Sequence, residues 1–204
     1  MTQMMTRTHA LVIAIGLVAT GAATRADAAD AYRISGGEVT VMCPLTVGGS
    51  FEAKTKTLSG EIAPAADQSG AVGGTWKVEL QTLETGIAMR NRHMRNNYLE
   101  VEKGPLFATA TFDDIRVEKL DGKTTFTGVL TLHGQKKKIS GAADLQQKDG
   151  RIKVQAQFAL KVSDFEIPAP TYLGIGVRDE IQIKVALMAT PSTTTAVGTS
   201  GKNR

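Results

Sequence analysis

Arg151-Ile152-Lys153-Val154-Gln155-Ala156-Gln157-Phe158-Ala159-Leu160-Lys161-Val162 alternates almost without a break. Ile152, Val154, Ala156, Phe158, Leu160 and Val162 share one face. Arg151, Lys153, Gln155, Gln157, Ala159 and Lys161 share the other. A period of two with one apolar face marks an antiparallel strand that has one side in a core. The run is about twice the usual strand of five or six residues. Long, strongly twisted strands suit a closed barrel, because closure removes the free sheet edges.

The same pattern recurs on both sides of this stretch. Trp76, Val78 and Leu80 alternate with Lys77, Glu79 and Gln81; Phe126, Gly128, Leu130 and Leu132 alternate with threonines and Val129; Ile181, Ile183, Val185 and Leu187 alternate with Glu180, Gln182, Lys184 and Ala186. Turn signals separate them: Asp67-Gln68-Ser69-Gly70, Asp121-Gly122-Lys123 and Lys148-Asp149-Gly150. Asp-Gly pairs favour hairpin turns because both residues tolerate positive φ. No mature segment has a convincing helical period. Seven or eight strands joined by tight hairpins describe an up-and-down barrel or a sandwich.

Composition bounds the rest. Arg7 and His9, the apolar run Ala10 to Ala19 and the Ala26-Asp27-Ala28 site read as a secretory signal peptide over residues 1–28. Its apolar part is too short for a stable membrane span. The remaining chain has the length of one domain, expected over residues 29–190, with a Ser/Thr/Gly-rich tail at 191–204 expected to be disordered. Cys43 is the only cysteine, so the core relies on hydrophobic burial and not on a disulfide. At strand spacing after Val39 and Val41, it reads as a buried small hydrophobe. The formal charge of +4 is mild and scattered, and Lys136-Lys137-Lys138 reads as a solvated turn. Nucleic acid is not an expected partner, since that needs a broader basic stripe with stacking aromatics.

Two segments break the strand rhythm. Gly86 to Val101 holds three arginines and a histidine between Arg90 and Arg95, and Arg90 to Tyr98 is expected to be helical or irregular. Ile167 to Gly176 carries proline, glycine and apolar side chains, which suit the mouth of a cavity. A nucleophile elbow and a Cys–His signature are both missing, and His93 and His133 make a poor metal site; no cofactor or metal is expected. His133 reads as a turn histidine that hydrogen-bonds the backbone. The basic cluster is open to three readings: a solvated loop, a head-group site, or general acid/base chemistry by His93 with Asp164 or Glu100.

Thr85-Gly86, Arg90-Asn91-Arg92-His93-Met94-Arg95, Tyr98-Leu99 and Val101-Glu102-Lys103 resemble the T-G…R-D-x-H-x-R…F-[FL]-x-V-x-K segment of YceI-like proteins. Leu130-Thr131-Leu132-His133-Gly134-Gln135-Lys136-Lys137, Ser163-Asp164-Phe165-Glu166-Ile167 and Val177-Arg178-Asp179-Glu180-Ile181 resemble that family's later motifs, in order. The resemblance covers about Ala31 to Ala189. It implies an all-β fold, an antiparallel eight-stranded lipocalin-like barrel. It also implies a periplasmic or secreted protein that binds or transports polyisoprenoids or similar amphiphilic lipids, as a monomer or homodimer, and is not an enzyme. Head-group contacts are expected from Arg90, Asn91, His93 and Arg95. Cavity lining is expected from Trp76, Val78, Phe112, Phe126, Leu130, Phe158, Leu160 and Phe165. Asn91 stands where the pattern has an acid, Met89 replaces another, and Arg92 is extra, so the head-group end is more positive here. The rival readings are a filled barrel serving as an envelope interaction module, and a hydrolase or isomerase dependent on His93.

Overall fold

The pairing of the long alternating strand sets the architecture. β8 (Arg151–Lys161) lies antiparallel to β11 (Glu180–Pro191), with Lys161 opposite Glu180 and Ile152 opposite Ala189. β11 in turn pairs with the first strand, β1 (Tyr32–Pro44), from Tyr32 opposite Pro191 to Met42 opposite Gln182. This pairing closes the sheet. The computed structural model describes residues 31–65, 71–172 and 174–192; the leader, the Asp67–Gly70 turn and the tail beyond Ser192 lie outside the described residues.

The other edge of β1 carries two short strands, β2 (Ser50–Thr55) and β3 (Leu58–Pro64). Both run antiparallel to β1, β2 against Val39–Pro44 and β3 against Tyr32–Arg33. They act as one strand broken at Lys56-Thr57. β4 (Ala71–Glu79), β5 (Thr109–Val117), β6 (Gly122–Leu132) and β7 (Gln135–Lys148) complete the ring in sequence order. With β2 and β3 counted together, eight strands form a closed antiparallel barrel, in which the far edge of β2 meets only the isolated Lys54–Glu84 bridge.

β7 is longer than β8, yet its sequence hides it. Its inner face includes Gly141 and Ala143, which give no apolar alternation. A Cβ at Gly141 would meet the Phe126 ring at 2.8 Å, and one at Gly128 on β6 would meet the Phe112 ring at 2.3 Å. These glycines make room for rings that lie flat along the inner wall. Lys136, Lys137 and Lys138 are strand residues of β7, not a turn. The turn before them is His133-Gly134, with φ of 52° and 78°. Two consecutive positive-φ residues suit a two-residue hairpin, and Asp149-Gly150 repeats the pattern at 51° and 70°. Pro191 belongs to β11, and Ser192 donates its N–H to Ala31 at 2.7 Å. The last strand therefore runs past the expected boundary at 190.

The barrel has two unlike ends. Short hairpins and the chain ends of the ring lie at one. The other, the loop end, carries Leu45–Gly49, the long Leu80–Ala108 excursion and Val162–Asp179. In the excursion, α1 (Ala88–His93) runs on into a π-helical turn (Met94–Tyr98), followed by a 3-10 turn at Val101–Lys103 and α2 (Pro105–Ala108). The irregular segment expected near 90–98 is this helix. Within Val162–Asp179, Thr171–Tyr172 (β9) pairs with Ile175–Gly176 (β10), a small hairpin that the sequence pattern did not announce.

Candidate functional site

Inside the ring is a cavity of about 740 Å³, within the usual range for small-molecule sites. Trp76, Val78, Phe112, Phe126, Leu130, Phe158 and Leu160 line it, together with side chains of every ring strand. Trp76, Phe112, Phe126 and Phe158 stand edge to face in series, with ring centroids 6.3, 5.9 and 6.0 Å apart. Such geometry adds favourable quadrupole contacts to burial. The rings girdle the wall instead of meeting across the middle, and Phe158 stays partly exposed to the cavity. The Nε1 of Trp76 is buried without a hydrogen-bond partner among the described residues.

Phe165 does not line the cavity. It is 1% exposed, enclosed in the hydrophobic core and absent from the cavity wall. The 3-10 turn Val162–Phe165 swings it under His133. His133 Nδ1 lies 3.1 Å from the Phe165 carbonyl oxygen, and Nε2 lies 3.2 Å from Glu100 Oε2. Phe107 meets the imidazole edge at 4.7 Å between centroids. The carbonyl can only accept, so Nδ1 is the donor there. His133 thus fastens both long loops to the β6–β7 hairpin. Glu100, considered above as a partner for His93, is engaged by His133 and by Lys103 at 2.8 Å. Its carboxyl lies below the usual range, chiefly through the Lys103 hydrogen bond.

The basic cluster divides into two groups. Asn91 is buried; its Oδ1 accepts from the Thr85 N–H at 2.8 Å and Thr85 Oγ1 at 2.6 Å, and its Nδ2 donates to Glu84. Arg95 donates to the Leu83 carbonyl at 2.6 Å and to Glu84 Oε1 at 2.7 Å. Glu84 is itself stitched to β2 by two 2.8 Å backbone bonds with Lys54. Asn91 and Arg95 therefore bolt the helix to the segment before it, and neither lines the cavity. Gly86, at φ 79°, makes the reversal between the two.

Arg90 and His93 do line the cavity. Arg90 donates to the Thr85 carbonyl at 2.8 Å, and its guanidinium lies 4.1 Å from the Phe51 ring centroid. That cation–π seat holds the charge at the mouth, and Arg90 has no carboxylate partner among the described residues. Among the described residues, no aspartate or glutamate lines the cavity. Cys43 is a buried wall residue; burial pushes its thiol up to about 11, while the nearby Arg90 charge pulls the other way. A thiol in that state is inert at neutral pH. The Ile167–Gly176 loop contributes Ile167, Pro170, Thr171, Ile175 and Gly176 to the mouth, which accounts for its apolar character.

Pattern reading missed Phe51 beneath Arg90, and the Ile87 and Met89 side chains at the mouth. The available signals were an aromatic on the short strand after Gly48-Gly49 and apolar residues inside a polar stretch. Chemically, the arrangement has room for an apolar chain along the barrel, with a cation and an imidazole at the mouth.

A family model described as a YceI-like domain matches residues 29–189. A UPF0312 protein of Vibrio vulnificus (strain YJ016) is 31% identical over 134 residues, covering 60% of this chain and 68% of that protein. Among solved structures, Burkholderia cenocepacia BcnA superimposes with a TM-score of 0.64 at 19% identity, covering 76% of this chain and 96% of that one. A polyisoprenoid binding domain from Saccharophagus degradans, implicated in plant cell wall breakdown, gives 0.62 at 18%, covering 80% and 99%. At these identities the structures establish the shared barrel fold.

Proposed function

Since this chain belongs to the YceI-like family, we propose that it is an exported protein that carries or sequesters a long-chain amphiphile of the polyisoprenoid type, without converting it. The observation that carries this reading is the apolar cavity of about 740 Å³, whose wall among the described residues holds no carboxylate. An apolar chain placed there gains about 0.8 kcal/mol for each methylene removed from water, so chain length supplies the affinity. Arg90, held over Phe51, favours an anionic or strongly accepting head group by charge-assisted hydrogen bonds, and the His93 imidazole adds a hydrogen-bonding partner. A cationic head would find no counter-ion on the cavity wall among the described residues. Export is supported by the leader-like residues 1–28, which precede the family domain beginning at residue 29.

Mass spectrometry of an organic extract of protein purified without detergent tests this reading. The expected result is a stoichiometric long-chain amphiphile with an acidic or acceptor-rich head. Arg90→Ala should weaken an anionic amphiphile by about 1.5–3 kcal/mol, the range for a hydrogen bond to a charged group, and hardly affect a neutral ligand of equal chain length. An empty extract, together with failure of the stripped protein to take up either ligand, would leave a barrel that serves protein contacts instead.

A further inference from the structure

We infer that the loop end of the barrel is a docking surface for an anionic phospholipid bilayer, from which the cavity loads its chain. The inference rests on the reading of the cavity as a lipid site. Among the described residues, Val47, Ile87, Met89, Leu106 and Ile175 are exposed apolar side chains at this end, and Val47 and Met89 are 67% and 63% exposed. Only Leu120 and Met188 are comparable elsewhere. Ile87, Met89 and Ile175 also line the cavity, so apolar surface runs unbroken from the outside into the barrel. The Val47 loop is zipped to β10: the Thr46 N–H donates to the Gly176 carbonyl at 2.8 Å, and the Gly176 N–H donates to Thr46 Oγ1 at 3.0 Å. Val47 and Ile175 therefore form one rim.

The charge at this rim selects the occupant. Arg92 and Arg178 are exposed and have no carboxylate partner among the described residues. Arg178 Nε donates to the Leu45 carbonyl at 3.2 Å, which places it beside Val47. Of the carboxylates on these loops, Glu84 is engaged by Arg95, Glu100 by Lys103 and Asp179 by Ser163, while Glu102, Asp164 and Glu166 are exposed without a cation partner among the described residues. A rim of apolar tips among arginines matches an anionic bilayer surface. A second copy would bring the arginine rim against itself in a two-fold contact. Contact also spares the chain a passage through water, which costs about 0.8 kcal/mol per methylene.

The test is co-sedimentation of the lipid-stripped chain from Ala29, which carries the whole closed barrel. Vesicles of phosphatidylglycerol with phosphatidylcholine are compared with pure phosphatidylcholine. Binding should require the anionic lipid and weaken with salt. The double change Val47→Asp with Arg92→Glu, neither residue lining the cavity, should cut vesicle binding by about tenfold or more. Affinity for geranylgeranyl diphosphate added from ethanol, read by fluorescence of the single tryptophan, Trp76, should stay unchanged. No binding to anionic vesicles, equal binding by the variant, or loss of a concentration-dependent dimer as its sole effect would overturn the inference. Docking without uptake of the added amphiphile would overturn the carrier reading and leave the surface standing.

Discussion

Phe158 and Phe165 lie seven positions apart in sequence, and the structure gives them opposite surroundings. Phe165 is enclosed by protein on all sides. Phe165→Ala should therefore cost about 3–5 kcal/mol, the transfer term plus the void it leaves. Phe158 packs on Phe126 at one edge and faces the cavity on the other. Its removal enlarges an existing space without opening a new one, so only part of the transfer term applies, about 1–2 kcal/mol. In urea melts of lipid-stripped protein, with a slope near 2 kcal/mol/M, the two midpoints should separate by about 1 M. Ligand reverses the order of importance. A saturating amphiphile at about 100 times its Kd stabilises wild type by about 2.7 kcal/mol. Phe158→Ala, by removing contact along the chain, should weaken binding roughly tenfold and lower that gain by about 1.4 kcal/mol, while Phe165→Ala should leave it intact. Equal losses for the two variants in the stripped protein, with ligand stabilisation untouched in both, would mean a packed barrel and end the carrier reading.

Asn91→Ala should destabilise by about 1–3 kcal/mol, because the buried Thr85 N–H and hydroxyl lose their shared acceptor; hydrogen exchange at Thr85 should speed up. A change in head-group preference without a stability loss would instead place Asn91 in the ligand site. Asp179 accepts the Ser163 N–H at 2.9 Å and its hydroxyl at 2.8 Å, and these bonds hold its carboxyl below the ordinary 3.8. A depressed folded-state value contributes stability that is complete above the unfolded value and lost as pH falls through the folded one. The melting-temperature gap between wild type and Asp179→Asn should thus be constant at neutral pH and close below about pH 4; a pH-independent gap would refute it. N-terminal sequencing of protein recovered from periplasm or medium should read Ala29-Asp30-Ala31-Tyr32, and an intact Met1 there would count against export.

Much of the barrel is legible in the chain because period-two alternation is a local consequence of strand geometry. β8, β6 and β11 carry it plainly, and Asp149-Gly150 marks its hairpin because few other residues accept two positive φ angles in a row. β7 escaped because its inner face was chosen by neighbours distant in sequence. Gly141 and Gly128 are small so that the Phe126 and Phe112 rings can lie on them, a constraint that exists only once the strands are side by side.

The head-group cluster shows the same division. Its composition alone establishes that positive charge gathers between Arg90 and Arg95, behind a Thr85-Gly86 turn, and that an all-β chain surrounds it. Which of those side chains meets a ligand was decided by the tertiary structure. Glu84, pinned to β2 by backbone pairing, draws Asn91 and Arg95 inward; Phe51, brought under the helix by the same strand, seats Arg90 at the mouth. Alternation fixes which way a side chain points from its own strand. For Phe158, on β8, that direction ends in open space because the closed ring holds its opposite walls apart; Phe165 lies past the strand on the 3-10 turn, where alternation no longer applies and the path of the loop buries it.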